Sequence, residues 1–120
     1  MSEIRVELSS EFRGETVVLL AMDLDGLNAF TSAVAEAIQK EEGTSSQLSR
    51  TDATHVFAIE NGKADVELQS GLTTWRFSPS KLAEVLQKLN AMKASLGPCH
   101  QYVDISSPTE TLVLSSDEYI

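Results

Sequence analysis

The sequence predicts an α+β fold: a mainly antiparallel sheet of about six to seven strands with two helices packed on one face, in the order ββαβββαββ. Three observations carry this expectation. Residues 3 to 9 alternate Ile4, Val6 and Leu8 with Glu3, Arg5 and Glu7, the period-two signature of a strand with one buried face. Two other stretches space their apolar residues by three and four, as amphipathic helices do. The turn dipeptides Asn61-Gly62 and Ser70-Gly71 separate short β-branched runs, and no strand-helix-strand unit recurs, which favours hairpins over a parallel sheet.

In chain order, the alternating first strand leads into a turn containing Gly14. The run Thr16 to Met22 is continuously apolar and suits an interior strand hairpinned to the first. Asp25 is the expected cap of a helix with apolar positions Leu27, Phe30, Val34 and Ile38, with Asp23 in the field of its first turn. Gly43 to Asp52 is rich in serine and threonine and reads as a solvated loop. Three runs, His55 to Glu60, Ala64 to Gln69 and Leu72 to Phe77, then predict a three-stranded meander, with Trp75 and Phe77 on its core side. Ser78-Pro79 is a capping residue followed by proline at the first helical position, ahead of the stripe Leu82, Val85, Leu86, Leu89 and Met92. Gly97-Pro98 ends that helix, and two strands, His100 to Ile105 and Thr111 to Ser115, follow. No internal repeat is evident along the chain.

With 120 residues the chain fits a single domain, 1–120. Its 42% hydrophobic and 22% charged residues, with a mean hydropathy of −0.09, exclude a disordered chain, and its longest apolar run, Val17 to Met22, is far short of a membrane span. The N-terminal residues lack the basic start and apolar segment of an export signal, and the lone Cys99 requires no oxidising compartment, so the expected location is the cytoplasm. A formal charge of −9, with the nine bases scattered, disfavours nucleic acid and anionic membranes and suits a basic protein partner.

Asp23-Leu24-Asp25-Gly26 after an apolar strand resembles the first motif of haloacid dehalogenase-like phosphatases, but Leu27 stands where those enzymes place a threonine. A calcium loop fails too, because its later oxygen ligands would fall at Phe30 and Ala35. Cys99 and His100 are neighbours on a strand and point to opposite faces, so they make no nucleophile-base pair. One cysteine and two histidines without ligand spacing give no zinc site. The expectation is a chain with no catalytic residues, no cofactor and no metal.

Two surfaces remain as candidates for binding a partner. Asp65 and Glu67 alternate with Ala64, Val66 and Leu68, and with Glu60 across the Asn-Gly turn they form an acidic stripe. His100, Tyr102 and Asp104 share one strand face, while Gln101, Val103 and Ile105 take the core side. Each set could equally be a plain solvated strand face.

The segment Phe77-Ser78-Pro79 with its leucine-spaced helix, then His100-Gln101-Tyr102-Val103-Asp104, then Thr111-Leu112-Val113-Leu114, resembles a family of small immunity proteins from bacterial polymorphic toxin systems. The resemblance covers roughly residues 77 to 118, and Tyr102 stands where the family usually has a second histidine. It implies a cytoplasmic, non-catalytic protein that binds one cognate toxin domain, such as a basic nuclease, and blocks it. The alternative is an interaction or ligand-binding module, monomeric or homodimeric through a strand edge.

Overall fold

The computed structural model describes residues 3–117 except 13, 42, 51–52 and 96; the side chains of 11 and 12 are also outside the description. Its elements run β1 (Ile4–Phe12), β2 (Glu15–Met22), α1 (Leu24–Ile38), β3 (Ser45–Ser49), β4 (Thr54–Ile59), β5 (Ala64–Gln69), β6 (Leu72–Phe77), α2 (Pro79–Ala94), β7 (Cys99–Asp104) and β8 (Thr111–Ser116). The α+β class holds, but the strands form two four-stranded mixed sheets rather than one antiparallel sheet. The first has the order β1-β2-β8-β7 and the second β3-β4-β6-β5. The helices pack together, and their apolar sides share one core with both sheets, instead of lying on one face of a single sheet.

The central seam of each sheet is parallel: β2 runs alongside β8, and β4 alongside β6. The predicted meander fails at this point. The Asn61-Gly62 turn forms, with Gly62 at φ +76° and Lys63 N–H donating to Glu60 O at 3.2 Å, but β4 and β5 do not pair. β6 enters between them, held by Glu60 N–H to Phe77 O and Ser78 N–H to Lys63 O. The predicted loop after Gly43 contains β3, an edge strand whose serines satisfy the ladder with backbone alone; the loop's last residues, 51–52, lie outside the described set.

The element order hides a repeat that the sequence does not display. Hairpin, helix, hairpin (β1β2α1β3β4) is followed by hairpin, helix, hairpin (β5β6α2β7β8), and each sheet takes one hairpin from each half. The buried helix positions Leu27, Phe30, Val34 and Ala37 recur as Leu82, Val85, Leu89 and Met92, each 55 residues later. The core-facing Val18, Leu20 and Met22 of β2 have Thr73, Trp75 and Phe77 of β6 as counterparts. Shape is repeated while residue identity is not, so no alignment of the halves is visible. A half on its own would leave its helix and two hairpin faces uncovered.

Aromatic side chains centre the second sheet. Trp75 is 1% exposed and lies edge-on to Phe30 and Phe77 and stacked with Phe57, and its Nε1–H donates to Nδ1 of His55 at 3.2 Å. Burying an indole leaves an N–H to satisfy, and His55 supplies the acceptor.

The Asp-Leu-Asp-Gly motif has a structural use. Asp23, not Asp25, caps α1, because the chain is still extended at Asp23 and already helical at Leu24. Asp23 Oδ1 accepts from Gly26 N–H at 2.6 Å and from Glu3 N–H at 2.9 Å, while Asp23 N–H donates to Glu3 O at 3.2 Å. One carboxylate thus starts the helix and ties down the entry to β1. A Cβ on Gly26 would sit 2.0 Å from Glu3 O, so only glycine allows the approach. Asp25 is exposed in the first turn.

Two outcomes follow. In urea titrations, Gly26→Ala and Asp23→Ala should each lower stability by about 1–3 kcal/mol, whereas Asp25→Ala should cost under about 1 kcal/mol. If the chain is divided at Asn61-Gly62, fragments 1–61 and 62–120 should each lack a cooperative thermal transition by circular dichroism. Mixed together they should regain one.

Candidate functional site

The outward face of the second sheet follows from register. Trp75 and Phe77 point into the core, so Thr74 and Arg76 point out; Arg76 lies opposite Asp65 on β5 and beside Ala58 on β4, and Thr74 lies opposite Glu67. The predicted acidic stripe therefore exists as one surface, with a base at its centre that the sequence reading passed over. Arg76 Nη2 donates to Glu67 Oε1 at 2.8 Å, and Arg76 Nε lies 3.7 Å from Glu60 Oε2. Asp65, directly across the ladder from Arg76, has no ion pair among the described residues. The two-residue turn at Ser70-Gly71 does fix this register, so the Asp65–Arg76 pairing was open to a sequence argument.

Beside these charges lies a cleft of about 320 Å³ where the edges of the two sheets approach. Val66 and Leu68 of β5, Leu8 of β1 and Pro108 line it together with Asp65, Glu67 and Arg76. Leu8 is 53% exposed, a large apolar side chain at an acidic rim. Alternation places Leu8 on the core side, and its neighbours in register, Val18, Leu112 and Val103, are buried there, but β1 is the edge strand of the first sheet and Leu8 is the exposed outer end of that row. One side of the cleft is closed by the β7–β8 connection, where Ser106 N–H donates to Ala64 O at 2.8 Å and Val66 N–H to Ser107 O at 2.9 Å.

The second predicted set lies elsewhere, on the outward face of the first sheet. Val103 and Ile105 are buried, Gln101 is half-buried, and Tyr102 and Asp104 are exposed, as the alternation predicts. The His100 and Tyr102 rings meet edge-on with centroids 5.3 Å apart, and Tyr102 Oη lies 3.3 Å from His100 Nε2. Across the sheet, Tyr102 is in register with Val113, Leu19 and Glu7, and His100 with Ser115, Ala21 and Arg5. The central strip Val17, Leu19, Ala21 and Val113 is a second, small buried cluster. The structure thus gathers Glu60, Asp65 and Glu67 in one place and His100, Tyr102 and Asp104 in another, on different sheets.

The His100 strand is fixed from behind by α2. Lys88 Nζ donates to Tyr102 O and lies 3.2 Å from Glu84 Oε2, and Lys81 Nζ holds Glu84 Oε1 at 2.9 Å. Partial burial alone would raise the Glu84 pKa, but hydrogen bonds and charge from Lys81 and Lys88 outweigh it and hold the carboxyl below its ordinary value.

Among the described residues, no group of three or more His, Cys, Asp or Glu side chains is placed to hold a metal ion, and no helix is long and apolar enough to cross a membrane. Cys99 packs against the core with its thiol 3.8 Å from Met92 O, on the opposite side of its strand from His100. The chain matches no protein-family model, no curated protein and no solved structure.

Because the folded-state pKa of Glu84 is depressed, its contribution to stability is present above the ordinary carboxylate range and is lost as pH falls through that range. The stability gap between wild type and Glu84→Gln, read from urea midpoints, should be open at pH 7 and close as the pH falls below the ordinary carboxylate range. For pairs this exposed the gap should stay within about 1 kcal/mol.

Proposed function

We propose that this is a binding protein without chemistry of its own, which neutralises a basic cognate toxin domain by covering it, in the manner of the immunity proteins its C-terminal third resembles. The observation that carries this reading is the cleft at the sheet seam. It places Asp65 and Glu67 beside an exposed Leu8, so an apolar anchor and an acidic rim occur together. Apolar area supplies affinity at the centre of a protein interface, and opposite charge at its rim speeds and orients the encounter. The formal charge of −9 extends that attraction beyond the cleft. On this reading the exposed Tyr102, with His100 and Asp104, is a second contact surface on the other sheet.

A second reading, a homodimer through a strand edge, draws on the same Leu8, because β1 is an edge strand of the first sheet. Co-expression with the product of the adjacent upstream gene separates the two. The neutralising reading expects co-elution that weakens at least tenfold in affinity between 50 mM and 500 mM salt, with the partner's toxicity suppressed. The double variant Asp65→Asn/Glu67→Gln should slow association under the same conditions. A neighbour that neither co-elutes nor harms cells, with a concentration-dependent mass of the lone chain in sedimentation, would replace this reading with the homodimer.

A further inference from the structure

The geometry points to a specific mode of capture: β5 accepts an extended segment of the partner as an added strand, one whose side chains alternate basic and apolar. This rests on the reading of the cleft as the partner site.

β5 is the outer strand of the second sheet, and its residues divide by backbone direction. Asp65, Glu67 and Gln69 are the positions whose backbone faces β6, while Ala64, Val66 and Leu68 turn their N–H and C=O groups outward, as the bonds from Ala64 O and Val66 N–H to the β7–β8 connection show. That connection covers only the first part of the edge. Ser107 makes an isolated parallel bridge with Asp65, and the next residue, Pro108, has no N–H with which to extend the ladder. Beyond it, among the described residues, no strand pairs with the Leu68 N–H and C=O or with the Val66 C=O.

Comparison of the two halves shows how this half-covered edge arises. The connection β3–β4 spans 50–53 and closes with Arg50 N–H to Ala53 O; its counterpart β7–β8 spans 105–110 and closes with Ile105 N–H to Glu110 O. The second is two residues longer, and the extra length carries Ser107 and Pro108 onto β5. The result is a short template strand with a stop at one end and an open run of roughly 10 Å, about three residues, at the other.

Side chains on either side of this run select the occupant. A strand laid against Val66–Gln69 sends alternate side chains to the two faces of the sheet. On the outer face they meet Glu67 and Asp65, of which Asp65 has no ion pair among the described residues, so lysine or arginine is favoured there. On the inner face they meet Leu68 and Leu8, so an apolar side chain is favoured. Edge strands left open in this way pair readily with extended chains, and backbone bonds supply affinity while alternating side chains supply selectivity.

The test uses the full chain and a fluorescein-labelled hexapeptide of alternating lysine and valine, with a glutamate-valine hexapeptide as control. Anisotropy should show the lysine peptide binding at least tenfold tighter than the control. Leu68→Pro removes the outward N–H at an edge position without touching the β6 ladder, and should weaken binding about tenfold; Leu68→Ala keeps the N–H and should weaken it about threefold or less. Should the proline variant fail to fold, amide exchange of wild type decides: saturating peptide should slow exchange at Leu68 at least tenfold. Binding with Leu68 exchange unchanged would overturn strand addition while leaving an acidic docking surface. No binding of the lysine peptide would overturn it as well, and co-elution with the genomic neighbour would still judge the neutralising role separately. Protection at Leu68 by the peptide, without any neighbour binding, would uphold strand addition and remove the proposed function.

Discussion

Two parallel seams, β2 with β8 and β4 with β6, hold this fold together, since each joins a hairpin of one half of the chain to a hairpin of the other. Parallel neighbours cannot be linked by a tight turn: β2 reaches β8 only by way of α1, the whole second sheet and α2, whereas β4 reaches β6 through β5, which lies on the far side of β6 in the same sheet. Both helices are therefore crossovers between sheets, and the core they fill is enclosed only after both halves have met. Contacts of this kind are distant in sequence, and the loop-closure entropy they require is not offset until apolar faces join. The Asp23 carboxylate and Gly26 matter in this context because they fix the angle at which the chain leaves the first sheet for α1.

The repeat also accounts for where the surface chemistry lies. Core-facing positions are under the same packing demand in both halves, and both fill them with apolar or aromatic residues, Leu20 in one and Trp75 in the other. Outward positions carry no such demand. Leu19 and Ala21 of β2 correspond to Thr74 and Arg76 of β6, so one outward face has a buried apolar strip between Tyr102 and Glu7 while the other is polar and charged. A two-residue difference in one connection then closes part of β5 and forms one side of the cleft. Divergence at positions free of the core is what makes the two sheets chemically different.

Local features of this arrangement are legible in the sequence because they depend on neighbours in the chain. The α2 cap and stripe, the β5–β6 hairpin at Ser70-Gly71, and the facing of Val103 and Ile105 against Tyr102 and Asp104 all follow from spacing and turn chemistry. The division into two sheets does not, because a continuous apolar strand such as Val17 to Met22 reads the same whether its neighbour is parallel or antiparallel. Asn61-Gly62 misleads for a related reason: the turn dictates its own backbone and not whether the flanking strands pair, and β6 competes successfully for the space between them. β3 escapes notice because its serines carry no β-propensity, and pairing with β4 supplies the order. For the site, the carboxylates are visible as an alternation, whereas Leu8 joins them only through the approach of two sheet edges.

Arg76 among Glu60, Asp65 and Glu67 is better understood as a positioning device than as a source of stability. Its two ion pairs are a third or more exposed, and such pairs contribute little once side-chain entropy and salt are counted. Geometry is where it acts. Without a base, three carboxylates around one strand end would spread apart to reduce repulsion, each sampling many rotamers. With the planar guanidinium between them, Glu60 and Glu67 are drawn inward, and the cluster retains a net negative charge while Asp65, opposite Arg76 in the ladder, remains without an ion pair among the described residues. A cationic side chain arriving at that rim meets acids already held in place, so less ordering is needed on contact. Removing Arg76 would make the rim more acidic and yet less defined, which separates the attraction of charge from the arrangement of it.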